Sequence, residues 1–318
     1  MSMPSGQPPG PSGGQRGPVQ PSRSARMSAW VRRHPIWSAL VAIVIVIIAA
    51  AVTTAARRTG TAQAETVYVI HQSARAVTPI STITNTAGKP IKVGSGPVAI
   101  AVTPDGKTVY VANGYSDTVT PITTATNTPG KPIRVGRGPG PIAITPDGKT
   151  VYVANFDSRT VTPITTATNT AGKPIRVGKW PQAITVTPDG KTVYAGNWGS
   201  DTVTPITTAT NTAGKPIRVG RGAGAIAITP DGKTAYVVSG VDYPGWGTVT
   251  PITTATNTAG KPIRVGGDPL AIVVTRDGKT AYVVSTAAGT VTPIATATNT
   301  PGKPIKAGKD PFALVMAP

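Results

Sequence analysis

Residues 151–192 read VYVANFDSRTVTPITTATNTAGKPIRVGKWPQAITVTPDGKT, and this stretch decides the fold. It holds four short β-branched runs: Val151–Ala154, Thr160–Thr166, Pro174–Val177 and Ala183–Thr187. Each run is bounded by Gly, Pro, Asn or Asp, which is how strands separated by tight turns are written. Asp189-Gly190 is a hairpin signal. Asn-Thr-Pro-Gly at Asn127 and Asn299 predicts a type II turn with Pro and Gly at its centre. The stretch also recurs. Gly-Lys-Pro-Ile begins at Gly88, Gly130, Gly172, Gly214, Gly260 and Gly302, at spacings of 42, 42, 42, 46 and 42. A unit of this length cannot bury its own hydrophobic faces and has to stack against its neighbours. Four antiparallel strands per unit of about 40 residues form the blade of a β-propeller.

The repeats run from Glu65 to the end of the 318-residue chain. The expected fold is therefore all-β, a six-bladed β-propeller of four-stranded antiparallel blades over residues 65–318. The first unit opens at Val67-Tyr68-Val69 and the last closes with Ala313-Leu-Val-Met-Ala, a strand with no Tyr strand after it. That final strand is expected to pair with the first three and complete a blade. The fourth strand carries a cation in each copy (Lys92, Arg134, Arg176, Arg218, Arg264, Lys306), which discourages edge-to-edge aggregation.

The segment before the repeats has a different composition. Residues 1–29 are rich in Pro, Gly, Ser and Gln and predict a disordered tail. Residues 30–58 read as a transmembrane anchor: the span 36–56 is uncharged, long enough for a bilayer, and flanked by Trp30, Trp37, Arg32, Arg33, Arg57 and Arg58. Residues 59–64 form a linker. Arg23, Arg26, Arg32 and Arg33 precede the span, so the excess of cations predicts a cytoplasmic N-terminus and an exported propeller. The competing reading is a secreted protein cleaved near Ala64, after Ala62-Gln63-Ala64.

The unit Val-Tyr-Val-Ala-Asn, Asp-Thr-Val-Thr-Pro-Ile, Ile-Ala-Ile-Thr-Pro-Asp-Gly-Lys resembles the YVTN-type β-propeller repeat of surface-layer and other exported microbial proteins. The resemblance implies that the Ile-Ala-Ile-Thr strand is innermost, the Tyr strand second, Thr-Val-Thr-Pro-Ile third and Lys-Pro-Ile-Arg-Val outermost. Members commonly have seven blades, whereas six units stand here.

Residues shared by all copies read as structure: Tyr68, Tyr110, Tyr152, Tyr194, Tyr236 and Tyr282 as core, and the Asp of each Asp-Gly-Lys as a turn former. Function is sought where the repeat breaks. Antiparallel strands put the second-to-third loops and the blade crossings on one face. Tyr115, Phe156, Trp180, Trp198, Tyr243, Trp246 and Phe312 all fall there, with the only insertion, 239–247. Loop aromatics on a rigid scaffold suit a glycan, a peptide or a protein partner. The other reading is that these rings cap the core.

Net charge is +19, with 31 Lys/Arg against 12 Asp/Glu. The opposite face is expected to gather Lys107, Lys149, Lys191, Lys233 and Lys279 from Asp-Gly-Lys, and Lys89, Lys131, Lys173, Lys215, Lys261 and Lys303 from Gly-Lys-Pro. These lysines suit an anionic wall polymer held by charge, or simply a solubilising surface. Lysines without base-reading groups argue against sequence-specific nucleic-acid recognition.

Catalytic signals are weak. The repeats hold one histidine, His71, one glutamate, Glu65, and the chain has no cysteine. No metal-ligand spacing, nucleophile elbow or phosphate loop is present, and no cofactor is expected. The mouth positions Val98, Gly140, Gln182, Gly224, Leu270 and Phe312 are poor acid–base material. The sequence therefore points to a membrane-anchored, non-enzymatic binding or structural module at the cell envelope. The alternatives are a propeller-type lactonase or hydrolase drawing on His71 with Ser73, and a charge-driven binder of anionic wall polymer.

Overall fold

The structure is a computed structural model and describes residues 65–240 and 246–317. The tail 1–29, the span 36–56 and Tyr243 lie outside these residues. Among the described residues, no helix is long and apolar enough to cross a membrane. The described residues form six antiparallel sheets in sequence order, a β-propeller arrangement with blades at 66–92, 97–134, 139–176, 181–218, 223–264 and 269–306.

Blade 3 shows the plan. Its strands are Pro139–Ile144, Thr150–Asn155 and Thr160–Thr165, followed by the short pieces Thr170–Ala171 and Ile175–Arg176. The fourth strand is thus broken: both pieces pair with Thr160–Thr165, one at each end of it. The break falls at Gly-Lys-Pro, where Gly172 N–H donates to the Pro163 carbonyl at 2.8 Å.

Strand alternation explains the packing. Val151 and Val153 face blade 2 and meet Tyr110, Val119 and Ile133. Tyr152 points the other way and packs with Val161 and Ile175 against Val193, Ala195 and Ile206 of blade 4. Both faces of an inner blade are therefore covered, and Thr150–Asn155 is buried from its second residue onward. Four repeat tyrosines belong to this core, Tyr110, Tyr152, Tyr194 and Tyr236 being at most 1% exposed, and Tyr68 lies at its edge at 9%. Tyr282, also expected in the core, is only half-buried, since among the described residues no blade packs beyond it.

The Asp-Gly-Lys turns are built as expected. In blade 2, the Thr103 hydroxyl and the Lys107 N–H both donate to Asp105 Oδ1, at 2.6 and 3.1 Å, and Gly106 has φ +71°. These bonds hold the Asp105 carboxyl below the usual aspartate range, the Thr103 hydroxyl contributing most.

Two expectations are corrected. The chain does not reverse at Pro-Gly: it turns over Thr124–Asn127 with Asn127 at φ +52°, and Pro129 is already paired with Ile122. Asparagine tolerates the left-handed region, so it serves where a Gly was expected. The closing strand is also not formed. Blade 1 consists of Thr66–His71, Ala76–Ser81 and the two outer pieces, and no described residue pairs on the inner side of Thr66–His71. Residues 311–317 run without strand pairing. Val69 is 37% exposed in blade 1, whereas Val111 and Val153 at the same place are fully buried.

Candidate functional site

Hydrogen bonds bring the second-to-third loops together with the blade crossings. Tyr115 N–H donates to Ser95 O at 3.1 Å, Phe156 N–H to Gly138 O at 2.8 Å, and Trp198 N–H to Trp180 O at 3.0 Å. Tyr115, Phe156, Trp180 and Trp198 are held in these loops and crossings, where the aromatics play different parts.

Tyr115 is 53% exposed and its ring covers Gly96, where a Cβ would come within 2.6 Å of it. Trp198 lies over Gly222 and Gly224. Phe312 is half-buried in the C-terminal segment. Trp246 is 65% exposed beside a cavity of about 290 Å³ lined also by Arg264, Ala288, Pro301 and Pro304. Only Phe156 and Trp180 form a ring pair among the described residues, stacked at 5.7 Å between centroids with 5° between planes.

That stack sits at the junction of blades 3 and 4, and the local frame is rigid. Asn155 is fully buried, and its Nδ2 donates to Thr160 Oγ1 at 3.1 Å and Thr162 Oγ1 at 2.9 Å, tying the two ends of loop 156–159. Arg159 N–H donates to Asn155 O at 3.0 Å, and Arg159 O accepts from Val177 N–H at 3.1 Å. Lys179 N–H donates to Ser200 Oγ at 3.0 Å. A Cβ on Gly178 would collide with Ser200 and Asn197, so glycine is needed for this close approach.

The junction departs from its neighbours at two left-handed positions. Before the first strand of blades 2 to 6 stand Gly96, Gly138, Trp180, Gly222 and Asp268, all at φ between 53 and 67°. A tryptophan there costs about 1–2 kcal/mol relative to glycine, the kind of strain that collects at functional sites. In the loops, Asp117 and Asp201 accept from Gly138 N–H at 2.9 Å and Gly222 N–H at 3.0 Å. At the equivalent place blade 3 carries Arg159. The result is a cavity of about 550 Å³ lined by Arg137, Arg159, Arg176 and Lys179 with one carboxylate, Asp157.

The lysines proposed for the opposite side divide into two sets. Lys107, Lys149, Lys191, Lys233 and Lys279 stand 3.6–4.0 Å from the aspartates of their own turns, exposed pairs of little energetic consequence. Lys89, Lys131, Lys173, Lys215, Lys261 and Lys303 sit at the break in the fourth strand, opposite the middle of the third, and thus on the rim instead of the turn face. His71 and Ser73 are exposed, at and just after the end of the first-blade strand Thr66–His71. Among the described residues no group of three His, Cys, Asp or Glu stands together as a metal site. Sequence reasoning missed Arg159. Aligning the repeats at that position would have found it, because an arginine replaces the Asp of blades 2 and 4.

Comparison with known proteins agrees with this architecture. Residues 27–150 match the family model of the YNCE-like beta-propeller. The chain is similar to Kuenenia stuttgartiensis Hydrazine Synthase at 28% identity, over 73% of each chain, with a TM-score of 0.62. No curated protein matches. In all, 1479 chains of solved structure match, so the likeness identifies a widely used fold and leaves the chemistry to the site.

Proposed function

We propose that this β-propeller is a non-enzymatic binding module of the cell envelope, anchored in the membrane by residues 36–56 and engaging an extracytoplasmic glycan, peptide or protein through its loop side. The observation that carries the reading is Trp180, which holds an indole 40% exposed and stacked on Phe156 from a backbone conformation that the neighbouring junctions give to glycine. A strained, exposed aromatic on a rigid frame is a ready contact surface with little left to order on binding. The anchoring rests on the apolar run and its flanking arginines.

A screen of the full chain against arrayed glycans and peptides tests the reading, with Trp180→Ala and a repeat-tyrosine-preserving fold check in parallel. Selective retention that Trp180→Ala removes supports it. Turnover of an arrayed ligand that disappears with His71→Ala would replace it by the hydrolase reading.

A further inference from the structure

We infer that the junction of blades 3 and 4 is a subsite for an anionic sugar unit, the ring stacking on Trp180 and its carboxylate or phosphodiester entering the Arg137–Arg159–Arg176–Lys179 cavity; this rests on the binding reading above. Three observations converge. The stack and the cavity are covalently adjacent: Phe156 is followed by Asp157, and Trp180 is preceded by Lys179, both cavity residues. Asp157 and Lys179 thus join the stacked pair to the cavity lining along the backbone. The cavity, about 550 Å³, has the size of a small-ligand site. Its charge balance is four cations to one carboxylate, and among the described residues none of the four is engaged in a salt bridge.

The same comparison explains why this junction and not another. The cation of the fourth strand recurs in every blade, so Arg176 alone selects nothing. Blades 2 and 4 carry Asp117 and Asp201 in place of Arg159, and each is committed to a backbone N–H. Blade 1 has Arg75 at that position, but its crossing offers Ser95 and Gly96 where blade 3 offers Lys179 and Trp180. Trp246 and Arg264 also line a common cavity, but with no second cation; a loop arginine and a crossing tryptophan coincide at the third loop and its crossing. Guanidinium groups present paired donors that match carboxylate and phosphate oxygens. An open cavity of about 550 Å³ beside an exposed indole fits a short saccharide better than a polynucleotide, which needs a groove with successive stacking platforms.

Titration of the full chain with tetragalacturonate, glycerol-phosphate oligomer, neutral maltotetraose and a single-stranded oligothymidylate tests this. The expected result is that at least one of the first two binds tenfold or more tighter than maltotetraose. Arg159→Gln should erase that advantage, and Trp180→Ala should weaken charged and neutral saccharides alike. The two anionic probes separate the carboxylate from the phosphodiester source. Equal binding of charged and neutral saccharides, unchanged by Arg159→Gln, overturns the anionic subsite while leaving the aromatic binding face standing. Saccharide binding indifferent to both substitutions, or no binding at all, overturns both. Tighter binding of the oligothymidylate than of any saccharide, lost with Arg159→Gln, overturns the sugar assignment in favour of nucleic acid.

Discussion

The phenol of Tyr110 in blade 2 donates to Asn169 Oδ1 in blade 3 at 2.7 Å, bridging two blades. The bond recurs at every described junction: Tyr68 to Asn127, Tyr152 to Asn211, Tyr194 to Asn257 and Tyr236 to Asn299, at 2.6–2.7 Å. Each asparagine also occupies a left-handed turn position, with φ between 52 and 55°. One residue thus reverses the chain and satisfies a buried phenol. Asn169→Gly keeps the turn and loses the acceptor, so it should destabilise by about 1–2 kcal/mol. Asn169→Ala loses both and should cost about 1 kcal/mol more. Urea unfolding of the two variants checks the order.

These phenols also set an alkaline limit. Burial pushes Tyr152 and Tyr194 up to about 12, with Asp147 and Asp189 adding smaller contributions. An unfolded phenol ionises near 10. Between about pH 10 and 12 the unfolded chain loses protons that the folded chain keeps, so their stabilisation is complete below 10 and falls as pH rises towards 12. Unfolding midpoints measured from pH 9 to 12 should decline, and the decline should be shallower in Tyr152→Phe/Tyr194→Phe.

Among the described residues, Tyr282 has no following blade and Asn85 no preceding one. Pro311-Phe-Ala-Leu-Val-Met-Ala aligns with Pro97-Val-Ala-Ile-Ala-Val-Thr, the first strand of blade 2. In that blade Ile100 pairs with Val111, so closure would set Leu314 opposite Val69. The chain has no cysteine, which makes a Val69→Cys/Leu314→Cys pair unambiguous. With residues 311–317 unpaired, oxidation should leave both thiols free. An intramolecular crosslink would show that this segment pairs with Thr66–His71 in solution.

Trp180 separates strain from packing. Trp180→Gly relieves a left-handed side chain and removes the stack on Phe156, two effects of similar size, about 1–2 and 0.5–1.5 kcal/mol. It should leave stability within about 1 kcal/mol of the parent. Trp180→Ala keeps the strain and loses the stack, so it should melt lower than Trp180→Gly. Calorimetry of the pair checks this.

The repeated part of the fold was legible because it rests on local chemistry: Asp-Gly turns, β-branched runs and a strand period that sends Tyr152 and Val153 to opposite faces. The Tyr–Asn bond was not, since its partners are 59 or 63 residues apart and the asparagine reads as an ordinary turn residue. The rim position of Lys131 was missed because the fourth strand breaks at Gly-Lys-Pro, which makes a rim break of what resembles a turn. In the site, the aromatic loops were legible by composition. That Phe156 and Trp180 would stack, beside Arg159, depends on left-handed positions that composition does not show.

The central claim is that the departures from the repeat, and not the repeat, hold the binding function. Restoring the junction to its neighbours' pattern with Arg159→Asp/Trp180→Gly tests it most directly. The introduced carboxylate is expected to accept from the backbone N–H at position 180 as Asp117 does from Gly138. The account predicts a variant that folds as well as the parent and binds none of the saccharides the parent retains. A well-folded variant with undiminished saccharide binding would contradict it.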